Sequence, residues 1–228
     1  MSLEAELRQA RELSVAALAD AIESIGFECT RCGACCKAVE GDDTDREDHT
    51  ATVFPDEVSR LQDTGDYDWR DVARPMPYGL TEGADGPAGE TFEWALETDD
   101  CGDCTFYRED DGGTGACTVH GDRPLICRTY PFSVVLEEGG ETPLAQPMGA
   151  AVDREGAVLA HECEGLGRDI EREDAEDLAA ALKQRAVREL EEAIAVRDRH
   201  EPRPDADGVV VHDSEGPKRP DGTPLDSR

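Results

Sequence analysis

The 228-residue sequence predicts a small, irregular α+β domain in which short strands and cysteine-bearing loops are flanked by helices. Three observations carry that prediction. Long stretches of apolar residues at helical spacing occur only near the start and in the last third of the chain. Between them the strand-like segments are short and separated by Gly, Pro and Asp. Nine cysteines fall mostly in the intervening loops.

Leu3, Leu7, Ala10, Leu18, Ala21, Ile22 and Ile25 predict one amphipathic helix over Ser2 to Ile25, with Gly26 as its stop. An acidic loop from Gly41 to Asp48 leads to a short strand near Thr52. Pro55 then opens a brief helix through Leu61, since proline suits a first helical turn. Gly79 to Gly89 reads as an exposed loop. The alternation in Thr91 to Glu97 suits a half-buried strand, and Phe132 to Leu136 and Ala157 to His161 are further strand candidates. A long helix is predicted from Glu171 to about His200. Leu178, Leu182, Ala186, Leu190 and Ile194 form its apolar stripe, with acids at its start and Arg197, Arg199 and His200 at its end, as the helix dipole favours. Beyond Pro202, Gly208 to His212 suits one strand and the rest reads as disordered. The expected organisation is therefore an N-terminal amphipathic helix (1–26) packed on a cysteine-cluster domain (27–200), followed by a mostly disordered acidic tail (201–228).

Composition narrows the function classes. There are 54 acids against 23 bases, a formal net charge of −31. Self-repulsion of that size opposes a compact fold in dilute buffer. Multimolar salt shrinks the Debye length to about 3 Å or less and removes most of the penalty. Such acidity predicts an extreme halophile with a high-salt cytoplasm, and it disfavours nucleic acid as a partner. No apolar run approaches the roughly 20 residues of a membrane span, and residues 1–25 lack a signal-peptide layout. A cytoplasmic location is expected, with no membrane partner. There, grouped cysteines point to metal ligation rather than disulfides.

Cys29-x2-Cys32-x2-Cys35 repeats the first three spacings of ferredoxin-type 4Fe–4S loops. Two intervening residues let a tight turn aim successive sulfurs at one centre, and Gly33 supplies the backbone freedom for it. Adjacent side chains point in different directions, so Cys35 and Cys36 are not expected on one zinc ion. They suit two irons of one cluster, or two centres. Cys104, Cys117, Cys127 and Cys163 follow as a dispersed second group.

The ordered set is Cys-x-x-Cys-Gly-x-Cys-Cys, then Cys104-Thr-Phe, then Cys117-Thr-Val-His, then Arg123-Pro-x-x-Cys127-Arg128-x-Tyr130-Pro-Phe, and last Cys163-x-Gly-x-Gly. Taken together it resembles the CxxCxxCC (YkgJ-type) cysteine-cluster family. The resemblance runs from Cys29 to Gly167. It implies zinc or iron chelation through Cys29, Cys32, Cys35, Cys36, Cys104, Cys117, Cys127 and Cys163. Cys101 stands outside the pattern. It makes Cys101-x-x-Cys104 look like a redox dithiol, but Asp99, Asp100 and Asp103 oppose thiolate formation there.

Charge offers an independent check. Cys29 to Val39 holds Arg31 and Lys37 and no acid, while Cys117 to Phe132 holds Arg123 and Arg128 against Asp122. A four-thiolate zinc site or a 4Fe–4S cluster carries about −2, so local cations stabilise it. Arg123, Arg128 and Tyr130 are the candidate cofactor- or partner-binding side chains. His120 and His161 lie near cysteines but read as packing or surface residues. No phosphate loop, dinucleotide fingerprint, nucleophile elbow or zinc-protease motif occurs, and no catalytic residue is assigned. Three readings stay open. One is an iron–sulfur protein that transfers electrons or serves an Fe–S oxidoreductase. Another is a structural zinc (Zn2+) module that binds a protein partner, and the third is metal storage.

Overall fold

The structure, a computed structural model, describes residues 2–40, 46–83, 86–136, 149–204 and 206–225. The fold is mixed α+β. Its α-helices are α1 (Leu3–Glu12), α2 (Val15–Ile25), α3 (Pro55–Gln62), α4 (Trp69–Val72), α5 (Leu125–Thr129) and α6 (Arg172–Arg199), set among short strands. No described helix is long and apolar enough to cross a membrane. Two compact units partition the chain: residues 1–36, 107–118 and 125–191, and residues 37–106, 119–124 and 192–228. The boundary falls inside α6.

In the first unit the expected single N-terminal helix is two. Leu13 leaves helical geometry (ψ 131°), and Ser14 caps α2 by accepting the Ala17 N–H at 3.3 Å. A serine hydroxyl in that position competes with helix continuation. Leu18, Ala19 and Ile22 of α2 pack with Ala179, Leu182, Ala186 and Leu190 of α6 in one buried cluster. Each fully buried Leu or Ile there contributes about 1.5–3 kcal/mol. Phe132, Val134, Val158 and Ala160 join the same cluster from an antiparallel sheet ordered Phe132–Val134, Val158–His161, Ala151–Glu155.

α6 also sends a buried Arg185 to the end of α5. It donates to Thr129 Oγ1 at 3.0 Å and to the Phe132 carbonyl at 3.3 Å, and pairs with Glu189 at 2.7 Å. A charge buried this way is tolerated because its Nε and Nη1 are hydrogen-bonded and a carboxylate pairs with it.

The second unit differs most from expectation. Residues 79–89, expected as loop, supply strands Leu80–Gly83 and Gly86–Thr91, and Gly86–Thr91 pairs in parallel with Val209–Asp213. The partner is more than a hundred residues away, so local composition carries no trace of it. Residues beyond His212 are likewise not disordered where described: Gly216–Lys218 pairs with Val209–Asp213. Asp213, 2% exposed, accepts from Trp94 Nε1 at 2.8 Å and pairs with Lys218 at 2.8 Å. Lys218 lies 5.0 Å from the Trp69 ring centroid. A buried Val209–Val211 run and this network order the segment despite its Pro/Gly/Asp content. The Thr91–Glu97 strand is split, with Trp94–Leu96 forming the centre of a second small sheet. Residues 41–45 of the acidic loop and 226–228 of the tail lie outside the described residues.

His49 in this unit is 3% exposed, and its Nδ1 has no hydrogen-bond partner among the described residues. Burial, then the Arg74 charge, lower its pKa to about 4 against a weaker opposing effect of Asp103. The folded state thus holds it neutral, and stability is fully present above the unfolded pKa near 6.5. As pH falls from there towards 4 the unfolded state takes up the proton first, costing about 3 kcal/mol. Denaturant melts should show that loss, and His49→Asn should flatten the profile in this window. An unchanged slope in the variant would assign the acid sensitivity elsewhere.

Candidate metal centre

The cysteine loop begins where α2 ends. Gly26 adopts φ +77° and donates its N–H to the Ile22 carbonyl at 2.8 Å, turning the chain out of the helix. The next residues zip against 163–167. Glu28 N–H donates to Gly165 O at 3.0 Å, Gly167 N–H donates to Gly26 O at 3.0 Å, and Phe27 bridges Leu166. A Cβ on Gly165 would stand 2.2 Å from the Glu28 carbonyl oxygen. The first glycine of Cys-x-Gly-x-Gly is thus what allows the two backbones to meet, with Cys29 and Cys163 just beyond the contact. Phe27 also packs edge-on against Phe132 of the Tyr-Pro-Phe motif, with ring centroids 5.7 Å apart.

Arg31 (φ 59°) and Gly33 (φ 77°) both take the left-handed conformation, which coils residues 30–34 tightly. The coil continues into a short 3-10 turn, Ala34–Cys36, where Cys36 N–H donates to Gly33 O at 2.8 Å. The hairpin of Tyr107–Glu109 and Gly115–Cys117 docks on the loop: Gly115 N–H donates to the Arg31 carbonyl at 2.7 Å. In that hairpin Cys117 stands opposite Tyr107. Tyr107 covers Gly33 so closely that an added Cβ would lie 2.1 Å from its hydroxyl oxygen. Gly33→Ala should therefore destabilise the loop by roughly 1–3 kcal/mol through strain alone, with metal affinity falling in step. Tyr107→Ala in the same chain should restore only the part due to the collision. A Gly33→Ala protein with unaltered melting and metal content would refute this account of the loop.

The structure brings Cys163 into the electrostatic field of the early loop. Burial first, then the neighbouring Cys32, Cys35 and Cys29, push the Cys163 thiol up, while the Gly165 N–H pointing at its sulfur (3.4 Å) acts the other way. Tyr130 belongs to the same group. Burial and the surrounding Cys163, Cys35, Cys32 and Glu162 raise its hydroxyl pKa, and that hydroxyl donates to the Glu162 carbonyl. Cys35 and Cys36 sulfurs lie 3.8 Å apart. The expectation that these neighbours diverge too far for one ion does not hold, because the 3-10 turn folds Cys36 back. Two thiolates on a tetrahedral zinc at Zn–S of about 2.3 Å are separated by about that distance.

The other sequence-nominated residues are placed as follows. Cys127 is on α5, partly buried, three residues before Tyr130; Arg128 beside it is exposed. Arg123 and Cys104 belong to the second unit. Arg123 Nε donates to the His120 carbonyl at 3.1 Å, and Cys104 is buried and bridged to Thr98. Cys101 is exposed in a turn organised by Asp99, whose carboxylate accepts the N–H groups of Cys101 and Asp103. His161 is no spare ligand, since its ring nitrogens face Ser133 Oγ (2.8 Å) and the Gly149 carbonyl (3.2 Å). Residue-type reasoning missed Phe27, Gly165 and Tyr107 as loop supports. Gly165 was legible as a motif glycine, whereas the other two carry no local signal.

These thiols suit a thiophilic metal by residue type, but among the described residues no three of their sulfurs lie within 4.8 Å of one another, a looser spacing than one zinc ion requires. The sulfurs are partly exposed, repel one another as thiolates, and surround a loop whose Thr30 hydroxyl is buried with no hydrogen-bond partner among the described residues. A zinc or iron centre is what removes that repulsion. The fold and site define a cysteine-cluster protein. A family model named CxxCxxCC, described as a putative zinc- or iron-chelating domain, matches residues 28–164, and the chain belongs to that family. No curated protein and no solved structure shows detectable similarity to the chain.

Proposed function

We propose that the protein is an iron–sulfur protein with a redox or electron-transfer role in a reducing cytoplasm. The observation that carries this reading is that Cys163, from a distant loop, lies close enough to Cys29, Cys32 and Cys35 of the coiled loop to feel their charge. Ferredoxin-type sites combine a C-x2-C-x2-C run with one remote cysteine in the same way. Bound there, a cluster would supply one-electron transfer. The chain's own contribution is to aim the thiolates, shield them with Tyr130, and set Arg128 on the exposed face for an anionic cofactor group or partner. Nine free thiols suit a reducing compartment.

A second reading is a structural zinc module, favoured by the 3.8 Å approach of Cys35 and Cys36 sulfurs. Anaerobic purification decides between the two. The redox reading requires brown protein with iron and acid-labile sulfide in equal amounts. Colourless protein with stoichiometric zinc, after iron has been supplied, overturns it. Arg128 and Tyr130 then become the surface to test for a protein partner.

A further inference from the structure

Away from the cysteines, the second unit gathers one carboxylate and two imidazoles. Glu90, His200 and His212 place their ligand atoms within 4.8 Å of one another, the one such trio of His, Cys, Asp or Glu found among the described residues. We infer that Glu90, His200 and His212 form a second metal site, a two-histidine, one-carboxylate centre for a first-row divalent cation of the zinc type.

The backbone explains the grouping. Glu90 and His212 lie on the paired parallel strands, where Glu90 is in register with Val210. His212, two residues on, projects from the same face as Val210 because side chains alternate along a strand. His200 directly follows the last residue of α6. Glu90 Oε2 is the meeting point, 2.6 Å from His212 Nε2 and 3.8 Å from His200 Nε2. A metal at about 2.0–2.1 Å from N and O ligands sets their mutual separations near 3–3.4 Å. Both separations from Glu90 are therefore within an ångström of those a bound metal would set.

Three further observations point to a ligand rather than a simple ion pair. His200 Nε2 is buried and has no hydrogen-bond partner among the described residues, although it faces this group. The two imidazole rings are already oriented. They stand 4.7 Å apart at 83°, and Phe92 stacks on His212 (5.5 Å, 24°) and meets His200 edge-on (5.1 Å). The carboxylate is fixed from outside the trio by the Arg203 backbone N–H, which donates to Glu90 Oε2 at 3.0 Å. Such supporting contacts are what hold ligands in place around a metal. Two imidazoles and one carboxylate suit zinc or ferrous iron and leave coordination positions for water or substrate.

Zinc titration of the full chain, with the cysteine centre as isolated, tests the site separately from the cysteines. The readout is the long-range proton–nitrogen spectrum of the imidazole rings. His200 and His212 should shift together and saturate at one added equivalent, while His49, His120 and His161 stay unmoved. His200→Ala, the less buried ligand, should weaken binding at least tenfold, the lower bound for losing even a supporting contact. Glu90→Gln keeps the side chain's shape and should do the same if His200→Ala disturbs the fold. Rings of His200 and His212 that ignore excess zinc, or zinc affinity in both variants equal to that of the unaltered protein, would leave only a Glu90–His212 hydrogen bond and overturn the proposal. Failure here leaves the cysteine centre untouched, because no cysteine resonance enters the readout.

Discussion

Replacing Cys32 by Ser should strip most of the metal from the cysteine centre, with affinity falling by at least tenfold. Cys32 is the middle sulfur of the coiled loop and acts electrostatically on both Cys163 and Tyr130. A serine hydroxyl keeps the shape but is neither as soft nor as readily ionised as a thiol, so zinc and iron lose a preferred donor. Cys101→Ser is the matched control. Cys101 is exposed, and its turn is held by the Asp99 carboxylate rather than by its own sulfur. Metal analysis of the two variants side by side gives the result. Equal losses, or full retention in Cys32→Ser, would remove the early loop from the ligand set.

The second large effect is on folding. At multimolar potassium chloride the protein should be folded, and dialysis to low salt should abolish most of its helical circular dichroism. The formal charge is −31, and acids crowd the start of α6, where Glu171, Glu173, Asp174, Glu176 and Asp177 are all exposed. One arginine, Arg172, is shared there among Asp20, Glu23 and Glu176. As the Debye length grows from about 3 Å at 1 M to about 10 Å at 0.1 M, repulsion spreads from neighbours to whole faces. A spectrum unchanged across that range would sink the reading of this acidity as a salt adaptation.

What could be read in advance follows from how local each signal is. α6 was legible almost to the residue, because its apolar stripe, acidic start and Pro202 stop lie in one window. The cysteine chemistry was legible because residue type announces it and 29–35 is a compact run. The break at Leu13–Ser14 was missed because the apolar spacing continues through it, although a capping serine stood in plain view. The pairing of Gly86–Thr91 with Val209–Asp213 was beyond reach. A parallel contact across that distance leaves no periodicity, and the glycines of 79–89 mimic a loop. Glu90, His200 and His212 were hidden for the same reason, since one glutamate among 54 acids has no distinction until the sheet selects it.

The zipper between Phe27 and Leu166 has a bearing on biosynthesis. It closes a loop of about 140 residues, an ordering cost of roughly 4 kcal/mol by chain statistics. At about 5–20 residues per second, Cys29, Cys32, Cys35 and Cys36 leave the ribosome on the order of ten seconds before Cys163 does. During that interval the early loop is a three- or four-thiol peptide without Cys163, and for most of it without the hairpin that buttresses it. The set of Cys29, Cys32, Cys35 and Cys163 is complete only once Cys163 has emerged. Until then the early thiols stay unpaired only in reducing surroundings.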